Sequence, residues 1–237
     1  MTARPRCLLI ALLLVVGGTC VRLGIWQRHR LTERRTRNTL AIARRIAQPL
    51  PLDPPAPVDS LPGRRVITRG QFDQPHSFVL RGRVYNDIPG VEVVTPLVRA
   101  EGPAVLVDRG FIPSADAVTA PVDSFVEPGP VDVDGVALGL ESRADSGTPI
   151  LAGGHVSWRR IDLAAAERRL PYPILPIVVV RRPVPDSAGW PRRQEAPALD
   201  EGPHFNYMLQ WFGFALTAFI TAGLIAFQQP GRDPPPA

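Results

Sequence analysis

The chain has 237 residues, enough for one fair-sized core once two apolar stretches near its ends are set aside. Its net charge of +5 is unevenly spread: residues 1–48 hold ten Arg against the single acid Glu33, and the remainder holds seventeen Arg against twenty-one acids. That slightly acidic remainder excludes nucleic-acid binding by the main domain, because phosphate recognition needs a basic face. All 27 basic residues are Arg, which reads as genome composition bias.

After a short tail (1–6), Cys7–Val21 carries no charge, and with Arg22 snorkelling the helix continues to Trp26. About 20 residues suffice for a bilayer core roughly 30 Å thick, so 7–26 is predicted as a first transmembrane helix. A cleaved signal peptide is the competing reading; the absence of a small-x-small site before the arginines favours an uncleaved anchor. Both cysteines, Cys7 and Cys20, lie on this helix, roughly 20 Å apart, beyond disulfide reach. Residues 27–48 are basic and lack an interior Pro, with Glu33 and Arg37 one turn apart; they read as a helical extension or as a helix end against anionic headgroups.

Proline-rich linkers are expected at 49–62 and 183–203, and a disordered tail at 228–237. Between the linkers, residues 63–182 contain short β-favouring runs bounded by Gly and Pro: Val66–Phe72, Phe78–Tyr85, Val91–Val98, Ala104–Ile112, Val131–Leu140 and Ile174–Arg181. One helix is predicted at Asp162–Leu170, capped by Asp162 and stopped by Pro171. Tyr207–Phe227, 21 residues with one Gln and no charge, is the second predicted span. Trp26, Tyr207 and Trp211 read as aromatics at one membrane face. The predicted fold class is a membrane protein in which two terminal transmembrane helices flank a small β-rich (α+β) domain, barrel-like or sandwich-like.

Catalytic signatures are missing: there is no G-x-S-x-G elbow, no phosphate-cradling Gly loop and no H-E-x-x-H helix. Gly153, Gly154, His155 and Ser157 read as a Gly-Gly turn before a strand rather than a catalytic corner. The four histidines (His29, His76, His155, His204) show no paired ligand spacing, and the cysteines are misplaced for metal transfer. The chain is therefore expected not to be an enzyme.

Five ordered strings stand out: LGIWQ-x-x-R (Leu23–Arg30), G-x-F (Gly70–Phe72), GVEVVTPL (Gly90–Leu97), VDRGFIP (Val107–Pro113) and HFNYMLQWFGFA (His204–Ala215). Together with the two spans they resemble the Surfeit-locus family of cytochrome c oxidase assembly factors, over nearly the whole chain outside the linkers. Asp108 and Phe111 stand where the family usually has Asn and Trp, and Arg34 or Arg35 where Lys is common. Arg109 reads either as a surface arginine bracing a turn or as a partner contact.

The resemblance implies a membrane-anchored assembly factor that assists haem a delivery to, or insertion into, oxidase subunit I. The expected partners are subunit I, haem a synthesis or assembly proteins and the lipid bilayer, with no nucleic acid. A membrane-anchored adaptor that binds proteins without haem is the alternative. The implied topology is multi-pass in the cell inner membrane, with the central domain outside; the arginine count, two before the first helix and eight after it, favours the opposite orientation. His204, at the outer interface beside Tyr207 and Trp211, is the expected haem iron ligand, with those aromatics as walls. Gln27 and Gln210 are expected to pair between the helices, or else to face headgroups.

Overall fold

The structure, a computed structural model, describes residues 3–53, 57–140, 147–184 and 189–228. The expected tail lies outside them apart from Gln228, as do parts of both expected linkers. In chain order the elements are α1 (Ala3–Ile46), β1 (Leu50–Pro51), β2 (Arg65–Phe72), β3 (Phe78–Tyr85), β4 (Ile88–Val98), β5 (Ala104–Pro113), β6 (Pro130–Gly139), β7 (Ile150–Ala152), β8 (His155–Trp158), α2 (Leu163–Glu167), β9 (Ile174–Arg181) and α3 (His204–Phe227). They form two compact units: 1–40 with 199–237, and 41–198.

The first unit is a helix pair. α1 runs without interruption for 44 residues, about 66 Å, so the expected tail, span and basic extension form one helix. On α1 the residues Gly17, Cys20, Gly24, Gln27 and Leu31 are buried; on α3 the buried positions are Ala215, Ala218 and Ala222. Steps of three and four residues trace the narrow seam of a two-helix coil. The pairing is antiparallel, because Gly17 meets Phe219 and Gly24 meets Phe212. A Cβ on Gly24 would lie 2.8 Å from the Phe212 ring, so each glycine is the hole that admits a phenyl knob. At one end the Arg6 guanidinium donates to the carbonyl oxygens of Ile225, Ala226 and Gln228, which α3's own turns leave unpaired. At the other, Arg35 grips Glu201 through two bonds of 2.9 and 3.0 Å, and Asn38 donates to the carbonyls of Leu199 and Asp200. Both helices are long and apolar enough to cross a membrane.

In the second unit five strands close a ring. β2 pairs with β6, β6 with β9, β9 with β5 and β5 with β4, and β4 returns to β2 through Gln71–Val98 and Phe72–Leu97. β5 and β9 are parallel, while the other four pairings are antiparallel. Closure removes the open edges that a five-stranded sheet would otherwise present. β3, β8 and β7 extend outward from β4.

Alternate residues face inward along each strand. Val66 and Phe72, Leu97, Val105 and Val107, Val133 and Ala137, and Leu175, Ile177 and Val179 fill the barrel. Leu52 and Leu61, from the stretch expected as a linker, join this core, and Leu50–Pro51 adds a short parallel strand to β2. A second cluster outside the ring stacks Trp158 on Phe78 at 4.8 Å and covers them with α2. Asp162 caps that helix as expected, its carboxylate accepting from the Ala165 N–H at 2.7 Å. β7 and β8 form a hairpin joined by Gly153–Gly154, the expected glycine turn.

Candidate functional site

His204 is the first residue of α3 and is half-buried. Its Nδ1 lies 2.8 Å from Oε1 of Gln27, which is 8 % exposed in the seam of α1. An amide oxygen only accepts, so Nδ1 is the donor, and in the neutral ring that leaves the lone pair on Nε2. Tyr207 and Trp211 follow at steps of three and four and share a helix face with His204. Tyr207 is exposed, and Trp211 is half-buried with its ring edge-on to Phe214 at 6.0 Å. The expected amide pair does not form: Gln210 is exposed, and Gln27 bonds His204 instead. The reason is register, because the antiparallel seam sets Gln27 opposite the first turn of α3, one to two turns before Gln210.

His155 is buried between the Ser77 carbonyl at 3.3 Å and Asp123 Oδ1 at 3.0 Å, and both ring nitrogens are engaged away from Ser157. Among the described residues, no three His, Cys, Asp or Glu side chains converge as metal ligands.

The strings GVEVVTPL and VDRGFIP are the two sides of one antiparallel pair, β4 against β5, running from Gly90 opposite Pro113 to Leu97 opposite Val105. The register skips Arg109 between Val93 and Val94, a bulge that redirects β5. Arg109, read from the sequence either as a surface arginine bracing a turn or as a partner contact, is 2 % exposed. It continues the inward series Val105, Val107, just as Arg181 continues Leu175, Ile177, Val179. The two guanidinium carbons lie 5.0 and 5.6 Å from the Phe72 ring centre, so a pair of cations closes one mouth of the barrel over an aromatic floor.

Glu127 serves both. Arg109 Nε donates to it at 3.1 Å, and Arg181 Nη1 spans its two oxygens at 2.8 and 3.0 Å. Arg109 also donates to Gln74 Oε1 at 2.9 Å and to the Phe125 carbonyl. Burial foremost, and then the charge of Arg181, lower the proton affinity of Arg109 against the pull of Glu127.

A strap crosses this mouth. Arg192 exchanges two backbone bonds with Phe111, at 2.9 and 2.7 Å. The strap can approach because residue 110 is Gly: its φ is +126°, and a Cβ there would lie 2.4 Å from the Arg192 carbonyl oxygen. Phe111 is fully buried between Tyr85 and Trp190, at centroid separations of 5.7 and 6.1 Å.

Two cavities lie on the second unit, one lined in part by Phe72 and one by Arg109 and Arg181. The larger, about 1060 Å³, is lined by Gly70, Phe72, Val98 and Arg99 among others, and its arginines are paired, Arg99 with Asp53 and Arg69 with Asp132. The smaller, about 510 Å³, lies at the arginine mouth.

A closed barrel interposed in sequence between two antiparallel apolar helices, with an imidazole–amide pair on the helices, defines a β-barrel protein with a terminal helix pair. The chain belongs to the SURF1 family, whose model matches residues 14–216. It is similar to uncharacterized SURF1-like proteins of Mycobacterium bovis and Mycobacterium tuberculosis, each 25 % identical over 177 residues, covering 70 % of this chain and 60 % of theirs. The chain thus spans about 60 % of the length of these curated relatives. A SURF1-like protein of Monosiga brevicollis is 25 % identical over 246 residues, covering 94 % of this chain and 91 % of its own.

Proposed function

We propose that this chain is a membrane-anchored, non-enzymatic assembly factor for cytochrome c oxidase that presents haem a for insertion into subunit I. Subunit I and the proteins that make or deliver haem a are its partners in this reading. Membership of the SURF1 family supports the oxidase connection. The two apolar helices support anchoring: Leu8, Leu12, Val15, Leu209, Phe214, Leu216, Ile220 and Leu224 are exposed on their outer faces, where lipid would cover them. In this topology both spans cross the inner membrane and the barrel lies outside it.

The observation that carries the haem reading is the His204–Gln27 bond. Haem iron takes a neutral imidazole, and a second hydrogen bond on the opposite ring nitrogen fixes the ring and its tautomer. His204 has that arrangement, with the Nε2 lone pair left for a metal and Tyr207 and Trp211 on the same helix face to flank a large amphipathic ring. Haem a is cargo here, so it need only be held and released.

His204→Ala, expressed together with a haem a synthesis pathway, is expected to lose haem from the purified protein and to lower the haem content of the oxidase in cells. The barrel's circular dichroism should be unchanged. Haem occupancy equal to that of the unaltered protein would remove His204 from the mechanism. Absence of haem from both proteins would leave the adaptor as the better reading.

A further inference from the structure

We propose that the barrel mouth is a binding site for a phosphate-class oxyanion, held by Arg193, Arg181 and Arg109 beside the wall of Trp190. This stands apart from the haem reading, on a different unit of the molecule and on different residues.

The case begins with a charge count. Among the described residues that line the 510 Å³ cavity, three guanidinium groups, Arg109, Arg181 and Arg193, face one carboxylate, Glu127. Glu127 is already shared by Arg109 and Arg181. Arg193 has no carboxylate within salt-bridge distance among the described residues, although it is half-buried. Counting Asp186, the sole acid in the sequence from 185 to 188, still leaves one positive charge in excess.

Clustering of this kind is costly. Two of the guanidinium side chains are only 1 % and 6 % exposed, and charge removed from water needs a counter-charge to offset the loss of hydration. Burial first, and then the proximity of Arg181 and Arg109, push the Arg193 proton affinity down against the single pull of Glu127. A multiply charged oxyanion would reverse that balance, and a phosphate group carries about −1.5 to −2 at neutral pH. The forked donors of Arg fit tetrahedral oxyanions, and the cavity is within the size range of small-ligand sites.

The fold keeps the cations together. Two strands deliver Arg109 and Arg181 by their inward alternation, and the strap bonded to Phe111 delivers Trp190 and Arg193. Trp190 offers an apolar wall, so the oxyanion can be free phosphate or the head of a larger molecule such as a lipid.

The test titrates inorganic phosphate and, separately, short-chain dihexanoyl phosphatidate into the full chain in neutral detergent, followed by calorimetry. Saturable binding is expected, weakened about tenfold or more by Arg193→Gln, partly restored by Arg193→Lys, and unaffected by Arg182→Gln, whose carboxylate partner Asp134 lies outside the cavity. Glu127→Gln should tighten binding if the variant folds, because the competing carboxylate is gone. Phosphatidate binding at least tenfold tighter than phosphate, and dependent on Arg193, would assign a lipid headgroup; equal affinities would assign the free oxyanion. The proposal is overturned if neither probe saturates by roughly 10 mM, a concentration at which even weak binding of a few kcal/mol registers. Equal affinity in Arg193→Gln would overturn it too.

Discussion

Asp108 shows how one carboxyl can make a barrel sensitive to pH. Burial foremost, and then the neighbouring Glu92 carboxylate, push it up to about 8, outweighing the Gly110 N–H bond at 2.9 Å and the attraction of Arg83. The folded protein therefore holds a proton that the unfolded chain releases near its ordinary value of 3.8. Stability from this group is fully present below about pH 4 and declines as pH rises towards 8. Asn copies the shape of the protonated carboxyl and keeps an oxygen for the Gly110 N–H. Asp108→Asn should melt at the same temperature as the unaltered protein at pH 4 and progressively above it towards pH 8. A melting difference independent of pH would show that the carboxyl does not titrate in that window. Neither this carboxyl nor the arginine mouth was legible in the sequence. Val-Asp-Arg-Gly-Phe reads as a strand end, and only the closed ring and the bulge at Arg109 show which of its polar side chains turn inward.

Elements were more readable than residues. β3 and β9 begin and end where their β-branched and aromatic runs do, and Asp162 marks the start of α2 within one residue. β1 and β7, of two and three residues, were missed because so few residues carry no period, and β1 also lies inside a proline cluster that suggested a linker. The helix seam was hidden differently: within the two apolar runs its marks are small residues, Gly17, Cys20 and Gly24 on α1 and Ala215, Ala218 and Ala222 on α3, with little polar contrast around them. A paired substitution tests the seam. Gly24→Leu drives a side chain into the Phe212 ring and should destabilise the helix pair by about 1–3 kcal/mol, measured by thermal unfolding in detergent. Gly18→Leu, where a Cβ meets nothing within 4 Å, should change stability by no more than about 0.5 kcal/mol. Equal effects at both positions would mean that Gly24 is not a packing hole.

At the scale of the whole molecule, orientation decides which compartment the barrel occupies. Eight arginines lie between the charge-free run that ends at Val21 and the first proline cluster, and by charge alone they would hold the barrel on the cytoplasmic side. Long translocated domains escape that rule, and the proposed topology requires this one to do so. Alkaline phosphatase fused after Pro197 is expected to be active outside the membrane, and a fusion after Arg232 inactive. The reverse pattern would reinstate the arginine count and move the barrel inside.

The bond from Asn38 to the Leu199 carbonyl, 3.1 Å long, spans 161 positions of sequence. Seen as polymer physics, the chain leaves the helix pair and returns to it at a single point, so pairing α1 with α3 closes a very long loop. In a flexible chain, closing that loop rather than one of about ten residues would cost roughly 2.5 kcal/mol more in entropy. A domain that folded first and brought its two ends together would remove most of that penalty before the helices meet. On this argument the barrel is to the helices a tether as well as a neighbour in sequence: a substitution that unfolds its core is expected to weaken the pairing of Gln27 with His204 without touching either residue, read as loss of the helix pair in thermal unfolding.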